Sequence, residues 1–334
     1  MSGGGSRGAF QLGAVQHLVA GKGLDFQVVA GVSAGSLNAA MLAQGVGPDG
    51  LREQLVKLKR LWFGIDTYED IYRKRFLGEV GAFLWSDSLY SSEPLREKIR
   101  REVSGDALRR SGRELRVGAV VLESGAYRTV TQDDDELREW TLASSSMPLF
   151  FPPVKVGGET AVDGGVRNVT PLADAFKALK ALPPSADGDA ADGLYVLLAS
   201  PFGVDEERRP WKTGLDVARR ATSILVDEVF REDLSYALAI NRSVRAYEAI
   251  KRTLETHVPP EEADALLKAF PYRPPRYRYV RMHTIVPHKS FSELLEFDPR
   301  KIREAFEAGQ QAAQSPLTEE ELERRLEESS AGKA

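Results

Sequence analysis

Short apolar runs bounded by turn residues recur along the chain at 25–30, 115–122, 127–132, 160–162 and 194–199, and each predicts a strand. Stretches with helical spacing lie between them, at 9–20, 36–44 and 171–182, with a long one at 215–256. The first is apolar nearly all round, with Phe10, Leu12, Val15, Leu18 and Val19, which describes a buried helix in a layered α/β domain. Thr170 and Pro171 suit the N-cap and first position of the third helix. Residues 183–193 read as a polar Pro/Gly/Asp-rich loop. Segment 271–282 mixes Arg273, Arg276, Arg278 and Arg281 with tyrosines; it predicts an edge strand with solvated arginines, and the alternative is a phosphate-contacting patch. Residues 317–334 are strongly charged and predict a frayed terminal helix.

Composition narrows the function classes. A chain of 334 residues, 42% hydrophobic and 28% charged, can bury a sizeable core as one large domain or two. The formal net charge of −4 lacks the basic excess of nucleic-acid binders, so no nucleic-acid partner is expected. With no cysteine there is no disulfide, thiol nucleophile or cysteine zinc site. That suits a reducing cytoplasm. No run of about 18 apolar residues predicts a membrane span, and no basic-then-apolar start predicts a secretory signal. The acidic cluster 133–136 lacks oxygen-ligand spacing and reads as a solvated helix start, so no metal site is expected.

Candidate chemistry centres on Gly31-Val32-Ser33-Ala34-Gly35, between a predicted strand and a predicted helix. A serine flanked by glycines at such a turn is the nucleophile-elbow pattern: side chains two positions before and after would collide on so tight a bend. The helix that follows aims its N–H groups at the site and favours negative charge there. Ser144, Ser145 and Ser146 lack flanking glycines and do not compete. Gly3 to Gly8 also fits G-x-G-x-x-G, the dinucleotide fingerprint, but no strand precedes it, and Asp25 begins the next strand instead of ending it. No cofactor is expected on those grounds.

A glycine-rich loop (Gly3-Gly4-Gly5-Ser6-Arg7-Gly8), an early G-x-S-x-G and a later Asp163-Gly164-Gly165, in that order, resemble the patatin-like phospholipase family. The run 143–153 before the aspartate is also similar to the family's. The resemblance implies a three-layer α/β fold, a central mostly parallel sheet flanked by helices, with a catalytic domain over 1–315 and a charged tail over 316–334. It implies a Ser33–Asp163 dyad, with the carboxylate taking the serine proton directly. Glycines in the loop leave backbone N–H groups open to a developing alkoxide; by resemblance Gly4 and Gly5 are the donors, with Arg7 bracing the loop. The family usually carries an apolar strand before that loop, and only Met1 and Ser2 precede it here, which leaves an incomplete strand or a start further upstream.

The implied activity is metal-independent hydrolysis of phospholipid or lysophospholipid esters through an acyl-enzyme. An acyltransferase using the same acyl-enzyme and a non-catalytic lipid-binding or storage protein are the alternatives. Aromatic residues crowd 62–90: Trp62, Phe63, Tyr68, Tyr72, Phe76, Phe83, Trp85 and Tyr90. A helical cap over 62–103 packing its own rings is one reading; peripheral contact with a membrane surface is the other.

A histidine base would have to be His17, His257, His283 or His288. The order Ser33, Asp163, His283 fits an α/β-hydrolase formally, but that fold places several strands before its nucleophile, and 32 residues cannot supply them. An aspartate with its ordinary pKa of about 3.9 is a weak base at neutral pH. The expectation is therefore that the oxyanion loop supplies much of the catalysis.

Overall fold

In the computed structural model, which describes residues 1–75, 88–182, 193–203, 210–274 and 277–331, the glycine loop is a 3-10 turn (Gly5–Arg7) running straight into helix α1 (Gly8–Gln16). A π-helical turn (His17–Gly21) extends it. Strand β1 (Val28–Val32) begins later than its apolar run suggested and carries the chain up to Ser33, where helix α2 (Ala34–Leu42) starts. Helix α3 (Gly47–Phe63) follows, then the two-residue strands β2 (Arg73–Lys74) and β3 (Tyr90–Ser91), helix α4 (Glu93–Glu102) and helix α5 (Gly105–Ser111). Next come β4 (Glu114–Val121), β5 (Tyr127–Val130), helix α6 (Leu137–Ser144), β6 (Val154–Val156) and β7 (Glu159–Asp163). The chain then forms helix α7 (Leu172–Ala181), β8 (Gly193–Leu197), the long helix α8 (Gly214–His257) and helix α9 (Pro260–Leu267). It closes with β9 (Arg281–Ile285), helix α10 (Pro299–Ala312) and helix α11 (Glu319–Ala331).

The architecture is the expected three-layer α/β arrangement, and the sheet at its centre is mixed. β1 lies parallel to β4, with Gly31 opposite Val117. β4 pairs antiparallel with β5 and β7, and β7 with β6. β8 and β9 form a separate parallel pair. Met1 and Ser2 stitch the two pieces together. The Ser2 N–H donates to the Leu197 carbonyl at 3.0 Å, and the Val32 N–H donates to the Met1 carbonyl at 3.3 Å.

Period-two alternation sets the two faces. Leu197 and Ile285 join the core under α1, α2 and α10, whereas Val196, Leu198, Met282 and Val286 join a second core with Phe230 and Leu234 of α8. Helix α11 completes that second core. Its Leu322 is fully buried and Leu326 nearly so, so the helix is docked through these two residues.

Three local expectations change. Pro171, not Thr170, takes the N-cap position of α7, and the Thr170 hydroxyl has no hydrogen-bond partner among the described residues. Residues 271–274 and 277–280 are irregular and the ladder starts at Arg281. The arginines are engaged with backbone instead: Arg273 donates to the carbonyls of Lys268 and Phe270 at 2.6 and 2.7 Å, and Arg278 to that of Leu179 at 2.8 Å. The stretch 62–103 is helical, in its described part, mainly over α4; Tyr72, Tyr90, Phe150 and Phe151 form a small buried cluster. Phe76, Phe83, Trp85, Arg276 and all but one residue of the loop expected at 183–193 lie outside the described residues.

Candidate active site

Ser33 sits between β1 and α2 with φ +55° and ψ −130°, a region costly for a residue with a side chain. The flanking glycines are there because of contact distances. A methyl on Gly31 would stand 2.1 Å from the Gly35 carbonyl oxygen, and one on Gly35 would stand 2.5 Å from that of Met1. Hydroxyls hold the strained turn. The Ser33 N–H donates to Ser144 Oγ at 3.0 Å, while Ser145 Oγ and Ser36 Oγ donate to the Ser33 carbonyl at 3.2 and 2.6 Å.

Asp163 ends β7 and is fully buried. Its N–H donates to the Ser146 carbonyl at 3.0 Å, and its Oδ1 accepts the Gly165 N–H at 2.8 Å. The Asp163–Gly164 turn presses against β4, where a methyl on Gly164 would come within 2.4 Å of the Gly118 carbonyl oxygen. Burial raises the carboxyl from its ordinary range to about 7, against the opposing pull of the Gly165 N–H and the Ser33 hydroxyl. Asp163 Oδ2 is buried without a well-formed hydrogen bond. The Ser33 hydroxyl is thus within electrostatic reach of the carboxylate, but a good hydrogen bond between them is not made. Contacts of this kind are often loose before substrate binds and tighten with it.

The glycine loop packs against the same point. A methyl on Gly3 would meet Ser33 Cβ at 3.2 Å. Gly4 and Gly5 are pressed between Ala199 and Leu294, and at φ +55° Gly5 also adopts a conformation glycine favours. Arg7 braces the loop by donating to the Ser292 carbonyl at 2.8 Å and to Ser200 Oγ at 3.0 Å. Gly8 makes room for Trp62, whose indole N–H donates to Asn38 Oδ1 at 2.9 Å.

Gly3, Gly4, Gly5, Arg7, Ser33, Asp163 and Gly165 all line one cavity of about 990 Å³. One wall is apolar, built from Leu37 and Met41 of α2, Leu58 and Leu61 of α3, and Leu95 and Ile99 of α4. No histidine lines it among the described residues. His283 stacks on Tyr195 with ring centroids 4.9 Å apart, His288 packs edge-on to Phe291, and His257 ends α8 at the surface. Among the described residues, no group of three His, Asp or Glu side chains converges as metal ligands do, and no helix is long and apolar enough to cross a membrane.

The sequence reading passed over the serines of 144–146. Their signal was present: three consecutive hydroxyls within a stretch otherwise made of buried apolar residues, where each buried hydroxyl must find a partner.

Residues 1–176 match the family model described as "Patatin-like phospholipase". The chain belongs to the patatin-like phospholipase family. No curated protein matches it. Among solved structures it is similar to VipD from Legionella pneumophila, at 12% identity and a TM-score of 0.36, over 98% of this chain and 66% of that one.

Proposed function

We propose that this protein is a serine acyl hydrolase that cleaves the carboxylic esters of phospholipids or lysophospholipids with a Ser33–Asp163 dyad. The observation that carries the reading is a serine on a strained elbow beside a buried carboxylate, in a cavity that no histidine lines among the described residues. Ser33 Oγ attacks the ester carbonyl carbon while its proton passes to Asp163. The oxyanion that forms is met by the N–H groups of Gly4 and Gly5, which is the term such sites rely on most. Collapse expels the alcohol, which takes the proton back from Asp163 and leaves the acyl group on Ser33. Water then attacks the acyl carbonyl, giving its proton to Asp163; the fatty acid leaves and the proton returns to Ser33.

A carboxyl near pH 7 is a far better base than an ordinary aspartate, because its affinity for a proton matches the pH at which it works. Burial therefore takes on part of the task that the sequence alone assigns to the oxyanion loop. The apolar wall of α2, α3 and α4 suits an acyl chain. A purely lipid-storing protein would leave both the strain at Ser33 and the buried carboxylate without a role. None of the steps calls for a metal, and hydrolysis is expected to be unchanged in EDTA. The direct test is intact-mass analysis after a fluorophosphonate: one adduct on the parent, none on Ser33→Ala. A full adduct on the variant would refute the reading.

A further inference from the structure

Asp233 lies on α8, beyond residues 1–176 and outside every motif of the site. Its Oδ2 accepts the Thr170 N–H at 3.1 Å. With the Asn168 amide turned so that its nitrogen faces acceptors, that nitrogen donates to the same Oδ2 at 3.1 Å and to the Thr170 carbonyl at 2.7 Å. Both residues flanking Val169 are thus tied to one carboxylate. Val169 in turn offers its carbonyl to the Gly3 N–H at 3.0 Å. Gly3 touches the Ser33 position and immediately precedes Gly4 and Gly5.

The same short segment is pinned at its other end by the site itself. The Asn168 N–H donates to the Gly164 carbonyl at 2.9 Å, and Gly165 donates to Asp163. Eight residues therefore run from the candidate base, Asp163, to Thr170, and Val169, the anchor of the glycine loop, is one of them. We propose that Asp233 is a positioning residue that, through Asn168, Val169 and Thr170, fixes Gly3 and so the aim of the Gly4 and Gly5 N–H groups. The proposal rests on the reading of Ser33 and Asp163 given above. A carboxylate is suited to this place because one oxygen can take two N–H donors at once, and charge-assisted bonds are stronger than neutral ones.

The consequence for kinetics is specific. Donors that meet the oxyanion bind more strongly in the transition state than in the ground state, so misaiming them lowers kcat and leaves KM nearly unchanged. The apolar wall that would hold an acyl chain belongs to α2, α3 and α4, none of which bonds to Asp233. A tie that merely stabilises the fold would lower the melting temperature and leave kcat in the folded protein alone.

The experiment compares the full chain with Asp233→Asn, Asp233→Leu and Asn168→Ala on a water-soluble short-chain p-nitrophenyl ester, below the melting temperature of each. Ser33→Ala is the control for the dyad itself. Asp233→Leu is expected to lose roughly ten- to a hundredfold in kcat, part of what removing a whole oxyanion donor costs, with KM within about threefold. Asp233→Asn keeps one acceptor oxygen and is expected to fall between Leu and the parent. Asn168→Ala, which keeps the carboxylate, should show a smaller loss in the same direction, and it carries the test if Asp233→Leu does not fold. Parental kcat in folded Asp233 variants, or a loss borne by KM, would overturn the proposal while leaving a dead Ser33→Ala to support the dyad. Activity retained by Ser33→Ala would instead remove the reading on which the proposal rests.

Discussion

The side-chain oxygen of Ser144 accepts the backbone N–H of Ser33 at 3.0 Å, joining the end of α6 to the one strained residue of the elbow. Backbone strain persists only where neighbours over-determine it. Here the neighbours are hydroxyls: Ser144 on the amide side, Ser145 and Ser36 on the carbonyl side.

Removing the Ser144 hydroxyl should therefore loosen the elbow without touching substrate. Ser144→Ala leaves the Ser33 N–H unpaired, a loss of about 1–3 kcal/mol. For a chain of this size that corresponds to a melting temperature lower by a few degrees, roughly 1–2 °C per kcal/mol. Calorimetry and steady-state kinetics together check it: both the melting temperature and kcat should fall, and an unchanged value of either contradicts the role given to this contact.

Acidity provides a second prediction. If Asp163 is the base it must be ionised, so kcat/KM should rise with pH and level off above an apparent pKa of about 7. Stability should move the opposite way. A carboxyl raised in the folded state binds its proton more readily there than in the unfolded chain, so stability is greatest below the ordinary aspartate pKa and is lost as pH rises toward 7. Asp233, also raised to about 7 by burial, adds to the same trend. Denaturant titrations across pH 4 to 8 would reveal the slope, and a rise in the contribution of these groups would be the wrong sign.

Trp62 gives a third. Its ring is buried against Gly8, its N–H is bonded to Asn38, and it lines the candidate cavity, so its contacts are those of an interior packing residue. Trp62→Ala should cost about 3–5 kcal/mol. The same fractional loss of activity is expected on phospholipid vesicles and on a soluble ester. A loss confined to vesicles would restore the membrane-contact reading for this residue.

Much of this site was legible in the residues, and the reason is steric. Gly31 is demanded by its contact with Gly35 four residues on, so the local pattern contains that information, whereas Gly35 answers to the carbonyls of Met1 and Ser2 across the fold. The docked α11 was not legible, because its charged surface dominates the sequence and, of its residues, Leu322 and Leu326 alone join the buried apolar cluster with α8 and β9. Nor were the ends of β1 and α7, where pairing with β4 and the placement of Thr170 beside Asp233 decide the boundary. The acidity of Asp163 escaped for a related reason. It arises from burial by β4, α6 and the glycine loop, none of which adjoins it in sequence.

The central claim is that Asp163 itself receives the Ser33 proton, and one set of variants tests it most directly. Asp163→Asn nearly keeps shape but removes the proton acceptor; it is compared with His17→Ala, His257→Ala, His283→Ala and His288→Ala, each checked for folding by circular dichroism. Hydrolysis of a soluble ester by Asp163→Asn should fall by at least about a thousandfold, the scale of losing a general base and its positioning together. Every histidine variant should stay within about tenfold of the parent, as a modest packing change allows. A folded His283→Ala or His288→Ala protein as inactive as Asp163→Asn would contradict the dyad.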